Sequence, residues 1–134
     1  MSVEETWVGR HYVRFEPGDL LVMEFHGPIL PGEMAALARL TDERLLARGR
    51  LFVLCDISDA GGFSPGSRHE LRDRSRNLPP HFVAYVGAPA PVRVVLDLII
   101  RATSSLTGAK IAHRFFETQA KARAWFDEMR PKAA

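Results

Sequence analysis

The sequence predicts an α/β domain on a mixed, mainly parallel sheet that begins with an antiparallel hairpin. Three observations predict it. Helix-like and strand-like periods alternate from about residue 28 to the C-terminal end. "RLFVLCDIS" (50–58) and "HFVAYVGA" (81–88) are short and almost continuously apolar, as strands covered on both faces are. "EPGD" (16–19) puts proline second and glycine third, the chemistry of a turn between two strands. Residue by residue this gives five strands and four helices in a single domain over 1–134, with its core at about 9–129.

"RHYVRFEPG" alternates Tyr12, Arg14 and Glu16 against Val13 and Phe15, and "LLVMEFHG" returns as its hairpin partner. Residues before about Thr6, and those from Pro131 on, read as frayed ends. In "PILPGEMAALARLTDERLLARG", Met34, Leu37, Ala38, Thr41 and Leu45 share one helical face, Pro31 suits a helix start and Gly49 a helix stop. "RLFVLCDIS" is the central strand. "SPGSRHELRDRSRN" reads as a second helix with two competing starts, Ser64 before Pro65 and Ser67 with Glu70. "LPP" ends it, because a residue before proline avoids helix. After "HFVAYVGA", "PVRVVLDLIIRATSSLTG" is a third helix closed by Gly108. "KIAHRFFE" is the last strand. "TQAKARAWFDEMR" is a final helix capped by Thr118, with Ala122, Trp125, Phe126 and Met129 as its inner stripe.

At 134 residues, 46% hydrophobic and 25% charged, the chain can bury a self-sufficient core. Eighteen basic and sixteen acidic residues leave a net charge of +2. The densest basic run, "RHELRDRSR", interleaves Glu70 and Asp73 and reads as a solvated helix face rather than a nucleic-acid footprint. Cys55 is the sole cysteine, so no internal disulfide forms, and a reducing cytoplasm fits best. The N-terminus lacks the basic-then-apolar layout of a signal peptide. The apolar segment 91–100 is too short and too charged to span a bilayer.

Five histidines are scattered over five elements without the spacing of a metal site, and no cofactor motif is present. There is no "GxSxG" elbow, and Cys55 has no evident base unless His81 lies beside it. Asp56 and Asp59 follow the central strand, where α/β folds place ligands. The plainer reading is that Asp56 and Ser58 satisfy backbone N–H groups in a turn. "DAGGFSPGS" can bring backbone close to an anion, but it is neither a Walker A nor a dinucleotide fingerprint. On the third helix, Val92, Val95, Ile99, Ala102, Thr103 and Leu106 form the expected inner face. Val94, Leu98 and Ile100 fall outside it. Either neighbours cover them, or they meet a partner, a second copy or a lipid.

The element order, with "RLFVLCDIS", "FVAYVG" and the ending "HRFFETQAKARAWFDEM", resembles the SpoIIAA-like branch of the STAS domains, over roughly Gly9 to Met129. The resemblance implies a sheet of four to five strands with helices mainly on one side. In the bacterial anti-sigma-factor antagonists of this family, a serine or threonine opening the helix after the central strand is phosphorylated, which places nearly two negative charges where a partner docks. Here the usual Asp-Ser/Thr-Ser/Thr-Gly motif is replaced by "FSPGS", flanked by Ser64 and Ser67. Sec14-like relatives are regarded instead as binders of small apolar or lipid-like ligands.

The expected function is therefore a non-enzymatic, cytoplasmic protein-interaction module. Its binding loop would hold Asp56, Ser58, Asp59, Ser64 and Ser67, and its partner face Val94, Leu98 and Ile100. The alternatives are a binder of a small apolar ligand and an enzyme using Asp56, Asp59 or Cys55.

Overall fold

The computed structural model describes residues 4–16, 19–63, 81–107 and 111–131. The elements are β1 (Glu4–Val8), β2 (His11–Glu16), β3 (Leu20–Ile29), α1 (Pro31–Arg48), β4 (Leu51–Phe63), β5 (His81–Val86), α2 (Ala90–Thr107), β6 (Ile111–Phe116) and α3 (Gln119–Met129). The strands form one sheet in sequence order, antiparallel from β1 to β3 and parallel from β3 to β6. The helix read over "SPGSRHELRDRSRN" lies outside the described residues, as do Pro17 and Gly18 of the hairpin turn.

Both faces of the sheet carry a core, and strand alternation sorts residues between them. Leu21, Met23 and Phe25 of β3, Val53, Cys55 and Ile57 of β4, and Val83 of β5 pack with Met34, Leu37 and Leu45 of α1 and Leu96 of α2. Leu20, Val22, Phe52, Leu54, Ala84 and Val86 pack on the other face with Ala122, Trp125 and Phe126 of α3. The Phe52 ring lies 4.9 Å from that of Phe82 and 5.1 Å from that of Phe126, so aromatic contacts fasten α3 to β4 and β5. Its rim is ionic. Arg123 makes two hydrogen bonds to Glu16, at 3.0 and 2.7 Å, and Asp19 accepts from both Arg50 and Arg130.

The helix ends follow their local chemistry. Glu33, the third residue of α1, accepts a hydrogen bond from the Leu30 N–H at 3.0 Å. Gly49 closes α1 in the left-handed region, φ 74°, with its N–H donated to the Leu45 carbonyl. Thr118 accepts from the Lys121 N–H and caps α3.

Two expectations about the sheet change. It has six strands rather than four to five, because residues read as frayed form β1. Gly9 and Arg10 make a two-residue turn with Gly9 at φ 59°, the first central position of a II′ hairpin, which only glycine enters without strain. Trp7 then packs on Tyr12 at 5.1 Å, and Arg44 of α1 pairs with Glu4. β4 also does not end near Ser58. It runs to Phe63 against a β3 that reaches Ile29, with register shifts between Glu24 and His26 and between Gly27 and Ile29.

Phe126 is fully buried at the centre of the α3 core. Phe126→Ala is expected to cost about 3–5 kcal/mol, read as a lower urea midpoint at unchanged slope. Leu46→Ala, at a residue 63% exposed on α1, should stay within about 0.5 kcal/mol.

Candidate functional site

Beyond Cys55, β4 turns polar at Asp56, Ser58 and Asp59, while Ile57 stays in the core with α1 and α2. Asp56 is half-buried and accepts three hydrogen bonds, from the Ser58 N–H at 3.1 Å, the Ser58 hydroxyl at 2.7 Å and the Gln119 amide at 2.9 Å. The first is the backbone-satisfying contact of an Asx turn, and the second adds the Ser58 side chain to the same carboxylate oxygen. The third ties the end of β4 to the first residue of α3. Burial by itself would raise the Asp56 carboxyl. The Ser58 and Gln119 bonds, with the charge of His26, outweigh it and hold the group below the ordinary aspartate range.

Asp59 lies three residues on and is exposed. Its carboxylate meets His26 Nδ1 of β3 at 3.2 Å. Asp56 and Asp59 thus serve different partners and do not form a carboxylate pair. Ser64 and Ser67 lie outside the described residues. Cys55 is buried, and its register partner on β5 is Tyr85. His81 pairs with Leu51 instead, four residues along the strand and about 13 Å away by strand rise, so it does not lie beside the thiol.

α2 is turned by about one residue from the expected phase. Leu96 and Ile100 point into the core, at 1% and 4% exposure, whereas Val95 is 42% exposed. Ile100 therefore belongs to the core and not to an outer face. The phase is set by Asp97, which accepts from His113 of β6 and from Arg101, both at 2.7 Å. With Asp97 turned to β6, the 100° step of the helix places Val94 and Leu98 roughly 160–200° from Leu96. They stand on the crest opposite the sheet, 61% and 63% exposed.

Between α1, α2 and the sheet lies an apolar cavity of about 90 Å³, lined among others by Met23, Phe25, Met34, Ala38, Cys55 and Leu96. Among the described residues, no group of three or more His, Cys, Asp or Glu side chains is placed to hold a metal ion, and no helix is long and apolar enough to cross a membrane.

A buried histidine contact was not legible in the sequence. His11, 1% exposed, accepts the His26 N–H at Nδ1, 3.1 Å away, which leaves Nε2 to donate to Glu33 at 3.1 Å. The network joins β2 and β3 to the first turn of α1. Gly9 lies against it: a Cβ there would fall 1.9 Å from Glu33 Oε2.

A depressed carboxyl stabilises the fold above its ordinary range, and that contribution fades as pH falls through the lowered folded-state value. Asp56→Asn should therefore flatten the acid-side loss of stability measured by urea unfolding across the carboxylate range. An acid limb as steep as that of the unchanged protein would show that Asp56 contributes nothing to it.

No family model matches the chain, and no curated protein matches it. Among solved structures it is similar to an uncharacterised protein of the DUF3478 family from Shewanella loihica PV-4, described as having a SpoIIAA-like fold. The two share 17% sequence identity with a TM-score of 0.51, over 92% of this chain and 91% of the other. With its sequential mixed sheet and, among the described residues, two helices on one face and a closing helix on the other, this chain has a SpoIIAA-like fold.

Proposed function

We propose that the protein is a non-enzymatic interaction module that docks a protein partner on the crest of α2. The observation that carries this reading is the pair Val94 and Leu98, one turn apart and each more than 60% exposed, on the side of the helix facing away from the sheet. Apolar residues at that spacing match the anchors by which helices are recognised. The side chains that an enzyme would need are engaged elsewhere: Asp56 with Ser58 and Gln119, Asp59 with His26, and Cys55 within the core. A cytoplasmic setting suits a single buried thiol. The fold brings forward an anti-sigma factor as the first partner class to test.

A photo-crosslinking residue placed at Val94 or Leu98 in living cells should give discrete adducts, whose masses name the partner or a second copy. The same residue at Arg39, on the exposed side of α1, should give none. No adduct from either α2 position, or the same adducts from all three, would remove this reading.

The cavity favours a second reading, a binder of a small apolar group. At about 90 Å³ it is smaller than the roughly 150 Å³ cavity known to hold benzene, so it suits the tip of an alkyl chain rather than a whole lipid. Native mass spectrometry of protein taken from cells should then show an adduct, and Ala38→Leu, which fills the cavity, should abolish it. Protein found only at its bare mass would exclude a resident ligand.

A further inference from the structure

We propose that the cleft where the connections leaving β5 and β6 part binds a small organic anion. Its anionic group would lie between Arg93 and Lys121 and its apolar part against Phe115.

The topology produces this cleft. The chain leaves β5 at Gly87 for α2, which packs on the same face as α1, and leaves β6 at Glu117 for α3 on the opposite face. Adjacent parallel strands whose following helices go to opposite faces leave a crevice beyond their carboxyl ends, and that is where open α/β sheets hold ligands. The crevice here measures about 500 Å³, within the size range of small-molecule sites, and it is lined by residues from both diverging connections. It lies at the end of the sheet, apart from the cavity in the α1–α2 core.

Its charge has one sign in excess. Arg93, in α2, and Lys121, in the first turn of α3, line it together with one acid, Glu117. Neither helix has an acidic residue in its first turn, although acids are the side chains that the positive end of a helix favours. Among the described residues Arg93 has no ion-pair partner. Lys121 reaches Glu117 at 3.4 Å, a long contact between two exposed side chains that an incoming anion can replace. Two cations near two positive helix ends break the local electrostatic rule, and such breaks collect at functional sites. An anion between them removes the conflict.

The walls are held before any ligand arrives. The Phe115 ring is stacked on Tyr85 at 5.4 Å and meets His113 edge-on at 5.9 Å. The Gly87 N–H donates to the Phe116 carbonyl at 3.0 Å. Gly87 has φ 78°, and a Cβ on it would fall 2.7 Å from that of Ser58, so the β5 connection sits tightly against β4. A preformed site loses less ordering free energy on binding.

Amide chemical shifts of the full chain, titrated separately with phenyl phosphate, benzoate and inorganic phosphate, test the proposal. Phenyl phosphate or benzoate should shift the Gly87, Ala88, Arg93 and Lys121 amides saturably, with inorganic phosphate clearly weaker. Arg93→Gln and Lys121→Gln should each weaken binding about tenfold, the loss expected for one charge-assisted contact, whereas Arg39→Gln should not. Arg93 and Lys121 are both exposed, and unchanged shifts away from the cleft will verify that the variants fold. The proposal fails if neither organic anion gives saturable shifts at these amides. It also fails if inorganic phosphate binds as tightly as phenyl phosphate, or if both cleft variants bind like the unchanged protein. None of these outcomes bears on crosslinking from the α2 crest.

Discussion

Every residue from Leu51 to Cys55 is buried, because β4 runs between two hydrophobic cores at once. A strand in that position has no solvent face, so each side chain must suit one core or the other. Val53 and Cys55 meet α1 and α2, while Phe52 and Leu54 meet α3. A one-residue slip would exchange the two sets and set the Phe52 ring against the α1 core. The registers of β3 and β5 follow from this constraint, since both pair in parallel with β4 along Phe52–Asp56.

The same strand supplies the polar features of the molecule where it leaves the double core. Asp56 turns back on Ser58 and reaches across to Gln119 of α3, and Asp59 reaches His26 on β3. These contacts tie the carboxyl end of β4 to α3 and to β3. They also use the carboxylates that a sequence reading sets aside for chemistry. What the carboxyl end leaves open is the gap between the β5 and β6 connections, and that gap is basic because Arg93 and Lys121 come from helices that diverge there.

The crest of α2, the cavity beneath it and the cleft at its N-terminal end share one element. Its phase depends on a polar contact, Asp97 with His113, within a helix that is apolar on most sides. Hydrophobic period alone cannot choose among phases in such a helix, because burying Val95 and Ile99 or Leu96 and Ile100 removes similar area from water. The carboxylate of Asp97 can be satisfied next to His113, and this contact decides which residues form the core and which form the crest.

Local chemistry made much of the fold legible in advance. The double-faced strands read as apolar runs, Pro31 and Gly49 bounded α1, and Thr118 with Ala122, Trp125 and Phe126 defined α3, because caps and periods act within a few residues. The placement of Asp56 beside Ser58 was readable for the same reason. Contacts between distant residues were not. β1 depended on a glycine turn and on Trp7 meeting Tyr12, and β4 continued to Phe63 because a long β3 was there to pair with it. Gln119 on Asp56, His11 on Glu33 and the parting of two connections around a cleft join residues 22 to 63 apart or whole elements. The sequence by itself determined most of the described strands and helices, with β1 and the far end of β4 as the exceptions. Only the tertiary structure decided which faces, ends and side chains come together, since those contacts depend on strand order and helix phase rather than on local preference.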